Sequence, residues 1–181
     1  MPRLFAALRP PPEIREALTA RMGGVEGARW QTDNQLHLTL AFLGEVDRHG
    51  VEAGTEALAS IHRPPLDLHL GQAGSFDAHK PGRTSALWLG VAPAEAVADL
   101  AAQIRNNLRR AGLEPESRRF VPHITLARFS AAGAPREALR PWLNSTHIPP
   151  LHWRAESFHL VESHMGNGGS HYTPIASYHL T

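Results

Sequence analysis

The chain contains one short pattern twice, as His37-Leu38-Thr39-Leu40 and as His123-Ile124-Thr125-Leu126. Side chains alternate between the two faces of a β-strand, so an extended segment of this kind turns its histidine and threonine to one face and its apolar residues to the other. Two such strands, brought together by the fold, direct two imidazoles and two hydroxyls at one substrate atom. The pattern therefore predicts two strands that meet and a site that they share.

The repeat extends over eight residues. Aligned on the histidines, the segments HLTLAFLG (37–44) and HITLARFS (123–130) share His, Thr, Leu and Ala, and Leu38 matches Ile124. An old duplication that produced two lobes explains this repeat, and so does the selection of two strands for one task. Eight residues do not distinguish these two histories.

The composition is that of a globular protein with a hydrophobic core. Of the 181 residues 42% are hydrophobic, which suffices for one large domain or two small lobes. The 18 Lys and Arg residues against 17 Asp and Glu give a net charge of +1, which argues against a long basic surface for duplex nucleic acid but leaves room for a local basic pocket. The absence of cysteine excludes disulfides, thiolate nucleophiles and cysteine-bound zinc.

No part of the sequence is typical of a targeting or membrane segment. Residues 1–8 are followed at once by Arg9 and three prolines, so this end lacks the apolar length of a signal peptide. No apolar run approaches the roughly 20 residues that span a membrane. We therefore expect a cytoplasmic protein that does not act at a membrane.

Hydrophobic periodicity predicts an α+β protein with the element order β-α-β-α-β-β-α-β-α-β-β. The segment 71–83 holds four glycine or proline residues and is interpreted as a loop, and Gly166-Asn167-Gly168-Gly169 is interpreted as a hairpin turn. The predicted strands are 4–8, 36–43, 66–70, 85–91, 121–129, 156–162 and 172–180, and the predicted helices are 13–22, 51–61, 94–111 and 135–143.

The repeated residues suit the cleavage of a phosphodiester without a metal. Such a reaction needs a base for the attacking oxygen, an acid for the leaving oxygen and fixed donors for the nonbridging oxygens. Histidine, with an ordinary pKa near ~6.5, serves as either acid or base near neutrality. His37 and His123 are therefore candidates for this pair, and the hydroxyls of Thr39 and Thr125 are candidates for the donors.

One further candidate lies five residues after each histidine. Arg128 can place a positive charge beside the phosphate, and Phe42 can stack on a base or form a wall of the cleft. On an ideal strand, however, an offset of five points away from the histidine face. Either a bulge or bend redirects these side chains, or Arg128 is only a solvated charge.

Other chemistries lack support in the sequence. The six histidines toward the C-terminus have neither the spacing of a helical metal site nor an acid placed as a third ligand, and we interpret them as surface or strand residues: His147, His152, His159, His164, His171 and His179. There is no GxxxxGK segment, no dinucleotide fingerprint and no GxSxG elbow. We expect neither a metal nor a cofactor.

The paired His-x-Thr phrases, or HxTx motifs, resemble the signature of the 2H phosphoesterases. The segments WQTDNQLHLTLAFLGEV (30–46) and RFVPHITLARF (119–129) are similar to the RNA 2',3'-cyclic phosphodiesterases, also called the 2'-5' RNA ligase family. The similarity runs nearly end to end and includes residues 3–18, 86–91 and 158–163.

This resemblance implies a single bilobal domain over residues 1–181, with two pseudo-symmetric antiparallel sheets flanked by helices and a central active-site cleft. It implies that His37 and His123 are the catalytic pair and that Thr39 and Thr125 donate to the phosphate. It further implies that Arg128 is a further phosphate contact and that Phe42 lies on the base side. It also implies a local distortion near Ala127. Arg83 is left outside the site, because the stretch before Trp88 is longer than is usual in the family.

The activity implied is metal-independent hydrolysis of RNA 2',3'-cyclic phosphate ends to 2'-phosphomonoesters, with possible reversible 2'-5' ligation. We take His123 as the base and His37 as the acid, although the sequence is symmetric on this point. The expected partners are RNA ends or nucleotides with a 2',3'-cyclic phosphate, and the expected state is a monomer. Two alternatives stay open: a noncatalytic RNA-end or nucleotide binder, and a phosphoesterase for another small cyclic phosphate, such as an ADP-ribose derivative.

Overall fold

A computed structural model describes residues 1–181 and contains one ten-stranded antiparallel sheet with helices packed against it. Eight strands form the main order β10-β9-β1-β3-β6-β5-β4-β8, while β2 pairs with β6 and β7 pairs with β5. The strands are β1 Arg3–Leu8, β2 Arg29–Trp30, β3 Leu38–Glu45, β4 Leu66–Asp77, β5 Arg83–Ala92, β6 His123–Arg128, β7 Ala134–Pro135, β8 His152–Ala155, β9 Ser157–Gly166 and β10 Gly169–His179. The helices are α1 Pro12–Thr19, α2 Arg48–Ala59, α3 Ala94–Arg110 and α4 Arg140–Ser145, with short 3-10 turns at Asp33–Gln35 and Arg136–Leu139.

The sheet consists of two halves joined at its centre. Strands β3 and β6 are antiparallel neighbours through the single pair Leu38 and Ile124, the two residues that follow the repeated histidines. On one side of this pair β1, β9 and β10 extend from β3, and on the other side β5, β4 and β8 extend from β6. The predicted α+β class is confirmed, and the two expected sheets are the halves of one continuous sheet.

The helices cover the apolar face of the sheet. In α3 the apolar side chains recur at helical spacing and are fully buried, and Gly112 ends the helix with a φ of +85°, a backbone conformation that favours glycine. The buried set in α3 is Val97, Leu100, Ala101, Ile104 and Leu108. One core cluster of 33 buried residues includes side chains from both halves of the sheet. No helix has the length and apolar character needed to cross a membrane.

The predicted loop at 71–83 is wrong for residues 71–77, because β4 continues to Asp77, and is confirmed only for residues 78–82. Glycine here reflects a close approach of neighbouring groups and not a turn. A Cβ atom at Gly74 would lie 2.5 Å from the ring of Trp88 on the paired strand β5, so only glycine leaves room for that ring. The actual turn between β4 and β5 lies after Asp77 and contains Gly82 at a φ of +73°.

Most other predicted elements are present with shifted ends. Helix α1 ends at Thr19, earlier than predicted, and the predicted helix at 135–143 is a 3-10 turn followed by α4. The hairpin between β9 and β10 is confirmed, with Gly166 opposite Gly169. Strands β2, β7 and β8 were not predicted, since segments of two to four residues carry too little periodicity to detect.

Candidate active site

The central strand pair brings the two repeated motifs together. With Leu38 opposite Ile124, the antiparallel register sets His37 across from Thr125 and Thr39 across from His123. Leu38 and Ile124 are fully buried on the core side, so the four polar side chains share the opposite face. The arrangement expected from the sequence, two imidazoles and two hydroxyls at one place, is present.

Each histidine is fixed in one tautomer by the chain immediately before it. Nδ1–H of His37 donates to the carbonyl of Gln35 at 2.6 Å, and Nδ1–H of His123 donates to the carbonyl of Val121 at 2.5 Å. A carbonyl oxygen only accepts, so Nδ1 carries the proton and Nε2 of each neutral ring is the acceptor. Nε2 of His37 accepts from the Thr39 hydroxyl at 2.8 Å.

Gln35, whose carbonyl accepts from His37, ends the 3-10 turn Asp33–Gln35, which begins at a capping box formed by Thr32 and Gln35. The Thr32 amide donates to the Gln35 side chain at 3.1 Å, and the Gln35 amide donates to the Thr32 carbonyl at 2.9 Å. The Gln35 side-chain amide also donates to the carbonyl of Ser170 at 2.8 Å. The T-x-x-Q spacing of residues 32–35 is typical of a capping box, so the sequence alone could have predicted this turn.

Two aromatic side chains enclose each imidazole. His37 lies 4.8 Å from the ring of Phe5 and 5.1 Å from the ring of Tyr172. His123 lies 4.9 Å from the ring of Phe76, which it meets edge to face, and 5.6 Å from the ring of Trp88. The sequence pattern did not indicate these four aromatics as parts of the site, because they lie on strands distant in the chain, β1, β10, β4 and β5.

Both central strands contain a bulge at equivalent positions. Along β3, Thr39 pairs with Ala7 and Ala41 with Ala6, which leaves Leu40 as the extra residue. Along β6, Thr125 pairs with Trp88 and Ala127 with Leu87, which leaves Leu126 as the extra residue. Two consecutive residues therefore face the core in each strand, and the fifth position returns to the histidine face. The distortion expected near Ala127 is confirmed.

The bulges bring Arg128 and Phe42 to the site. Both side chains line a cavity of about 250 Å³ together with His37 and Thr39. The guanidinium of Arg3 lies over the Phe42 ring, 5.7 Å from its centroid, and so adds a second positive charge at this cavity. Arg83 does not line this cavity, and its guanidinium donates to the carbonyls of Ala132 and Gly133 at 2.7 Å.

Burial and positive charge lower the pKa of both histidines. Burial lowers the pKa of His37 to about 4, and the charges of Arg128, His123 and Arg9 act in the same direction. Burial, followed by the charge of Arg128, lowers the pKa of His123 below its usual 6.5. Both rings are therefore neutral at pH 7 in the free protein, and a negatively charged ligand between them would raise both pKa values.

Two further cavities adjoin the pair, one beside each histidine. A cavity of about 280 Å³ beside His37 is lined by Phe5, Tyr172, Arg9 and His159, among others. A groove of about 230 Å³ beside His123 is lined by Thr39, Phe42 and an arginine-rich loop before β6. The site thus has separate approaches from the His37 side and from the His123 side.

Comparison with known sequences identifies the family to which this arrangement belongs. A sequence model of the 2'-5' RNA ligase superfamily matches residues 10–167, which include both motifs. The chain therefore belongs to the 2'-5' RNA ligase superfamily.

Within that superfamily the chain is similar to proteins named RNA 2',3'-cyclic phosphodiesterase. It is 33% identical to the one from Escherichia coli, with 99% of this chain and 97% of that protein covered. It is 34% identical to the one from Thermus thermophilus, with 98% and 90% covered. The crystal structure of E. coli LigT complexed with 3'-AMP superposes with a TM-score of 0.77 at 31% identity, covering 100% of this chain and 99% of that one.

Proposed function

We propose that this protein hydrolyses 2',3'-cyclic phosphate ends of RNA, or of nucleotides, to 2'-phosphomonoesters. The observation that carries the proposal is the pair of imidazoles, each fixed as the Nδ1–H tautomer and placed on one face with two threonine hydroxyls. The relatives named RNA 2',3'-cyclic phosphodiesterase support this substrate, and the LigT complex with 3'-AMP supports a nucleotide in the cleft.

In the proposed reaction a water molecule attacks phosphorus opposite the 3'-oxygen. Nε2 of His123, which has no hydrogen-bond partner in the protein, takes the proton of the water. His37, protonated at Nε2 once the phosphate has raised its pKa, gives that proton to the 3'-oxygen. The bond from phosphorus to the 3'-oxygen breaks, and the 2'-phosphate and a 3'-hydroxyl remain.

The other site residues act on the phosphate and the base. Arg128 and the hydroxyls of Thr39 and Thr125 stabilise the charge that develops on the nonbridging oxygens. Phe42, beside Arg128 in the cavity, contacts the base. None of these roles requires a metal, so activity is expected to persist in EDTA.

The reverse reaction uses the same groups by microscopic reversibility. A 5'-hydroxyl replaces water as the nucleophile, and the product is a 2'-5' linkage. We further propose that the protein acts as a monomer in the cytoplasm on free RNA ends or nucleotides. Sedimentation at micromolar concentration checks the monomer, and a dimeric mass would contradict it.

The decisive experiment incubates the protein with 2',3'-cyclic mononucleotides and cyclic-ended oligonucleotides and identifies the product isomer. We expect the 2'-phosphomonoester, and no loss of rate in EDTA. Binding without turnover would instead favour the noncatalytic binder. Turnover confined to other cyclic phosphates, such as an ADP-ribose derivative, would favour the second alternative.

Substitution of either histidine tests the acid-base pair. A positioned acid or base contributes about 10² to 10⁴ in rate, so His37→Ala and His123→Ala should each lose about that much kcat on 2',3'-cyclic AMP. Because the two rings act as a unit, the double variant should lose less than the product of the two effects. His49→Ala, at an exposed position of α2, is the matched control and should turn over normally. Near-normal turnover by either single variant of the pair would contradict the mechanism.

A further inference from the structure

A basic groove opens beside His123 and away from His37. It lies between β3, from Thr39 to Phe42, and the loop 116–121 that leads into β6. The amide of Glu116 donates to the carbonyl of Phe42 at 2.8 Å, which ties this loop to β3. The groove ends at His123, while the two cavities lined by His37 do not include His123.

Arginines dominate the charge of this groove. Arg105, Arg118 and Arg119 line it, and the only acid among the lining residues is Glu116, whose carboxylate lies 3.2 Å from Nε of Arg118. Arg105 packs over the ring of Phe120, 5.5 Å from its centroid, and that ring is half-buried. A positive groove with an aromatic side chain is the combination that binds single-stranded nucleic acid.

The direction of the reaction assigns an occupant to the groove. An in-line displacement at phosphorus places the nucleophile and the leaving oxygen on opposite sides, the nucleophile beside the base and the leaving oxygen beside the acid. With His37 beside the leaving 3'-oxygen, the cyclic-ended nucleotide occupies the cavities that His37 lines. The nucleophile then enters from the opposite side, through the groove that ends at His123. Water needs no arginine-lined groove, whereas an RNA strand does, because its phosphates require cations.

We infer that this groove binds an RNA strand whose 5'-hydroxyl is the nucleophile in 2'-5' joining. The inference rests on the proposed function and extends it by placing the second substrate. The 5'-oxygen bonds to phosphorus as the bond to the 3'-oxygen breaks. His123 takes the hydroxyl proton and His37 supplies the proton of the new 3'-hydroxyl, so no co-reactant is needed.

Binding of a 5'-hydroxyl oligoribonucleotide with an ordinary 3'-hydroxyl end tests the inference. We compare the affinities of the wild-type protein and the double variant Arg118→Gln/Arg119→Gln for this oligonucleotide by fluorescence anisotropy over a range of salt concentrations. We expect the double variant to bind at least tenfold more weakly, with a salt slope lower by about 1.4, since each single-strand phosphate contact contributes about 0.7. The matched control is Arg109→Gln/Arg110→Gln, an exposed arginine pair at the end of α3.

Kinetics with 2',3'-cyclic AMP then locate the bound strand. A strand beside His123 blocks water without displacing the nucleotide, so the oligonucleotide should lower kcat for hydrolysis and leave KM unchanged. The rate of joining, relative to the hydrolysis rate of the same variant, should fall at least tenfold in Arg118→Gln/Arg119→Gln.

Three outcomes would overturn the inference: equal binding by the groove variant and its control, an increase in KM that shows competition with the nucleotide, or no binding by a protein that hydrolyses the nucleotide. A protein that does not hydrolyse 2',3'-cyclic nucleotides at all contradicts the proposed function instead, and the binding comparison still decides whether the groove holds RNA.

Discussion

The two histidines have similar local environments, although they lie 86 positions apart in the chain. Each donates from Nδ1 to the carbonyl two residues earlier and lies between two aromatic rings. They differ at Nε2, because only His37 has a threonine hydroxyl as partner. This difference supports the proposed roles, since the free lone pair of His123 is available to accept a proton.

The lowered pKa values set the expected pH dependence of kcat/KM. The reaction needs one neutral and one protonated histidine, and in the free protein the pKa of His37 is about 4 while that of His123 lies below 6.5. Below the lower pKa both rings are protonated and the base is lost, and above the higher pKa both are neutral and the acid is lost. The profile for 2',3'-cyclic AMP should therefore be bell-shaped with its maximum below pH 6.5.

The profile of kcat should lie at higher pH than that of kcat/KM, because the bound phosphate raises both pKa values. Rates measured from pH 3 to pH 9 in buffers of constant ionic strength check both profiles. A kcat/KM maximum above pH 7 would show that the free protein does not hold these histidines neutral as described.

Substitution of Arg128 should change both the pH profile and the rate of the reaction. Its positive charge lowers the pKa of both histidines, so Arg128→Gln should raise both values and move the kcat/KM maximum upward. Loss of a donor to the developing charge should also reduce kcat by about 10² to 10³. Arg29→Gln is the matched control, since Arg29 is the cross-strand neighbour on β2. An unshifted maximum would show that the charge of Arg128 is too far from the histidines to lower their pKa values.

Among the elements, the bulged strands decide which side chains reach the phosphate. The extra residues Leu40 and Leu126 bring positions five after the histidines back to the cleft. The sequence contains both fifth residues, but an ideal strand predicts that they face away. A bulge depends on the pairing with β1 and β5, and these partners are distant in sequence.

Strand β4 offers a test of how the neighbouring strands hold His123. Gly74→Ala should displace the ring of Trp88, which lies against His123, and so reduce both stability and kcat. Overpacking of this kind costs about 1 to 3 kcal/mol. Thermal unfolding and turnover of 2',3'-cyclic AMP measure the two effects. The control is Gly71→Ala on the same strand, where the nearest atom is a carbonyl oxygen at 3.4 Å, and an equal response of both variants would contradict this account.

Across the molecule as a whole, one core connects the two halves that meet at Leu38 and Ile124. We propose that residues 1–181 form a single domain and unfold as one unit, because side chains of both halves belong to the same core cluster. Under this proposal the two sequence-similar motifs share one site within one folding unit.

Shortening a buried side chain of the central pair tests this proposal. Leu38→Ala should cost about 2 to 5 kcal/mol, as is usual for a fully buried leucine, with one unfolding transition seen equally by far-UV circular dichroism and tryptophan fluorescence. Leu143→Ala, with the leucine 44% exposed on α4, should change little. Two separate transitions would show that the halves are distinct domains.

Residue order alone was enough to predict the α+β class, most of the elements and the four central polar residues, because alternation along a strand is a local property of the chain. Alternation did not predict three features: Arg128 and Phe42 reach the cleft, which only the family resemblance implied, β4 continues through its glycines, and four aromatic rings surround the histidines. Those rings belong to Phe5, Tyr172, Phe76 and Trp88. Each of these features depends on pairing between strands far apart in the chain, where bulges and close contacts arise from the partner strand and leave no periodic signal of their own.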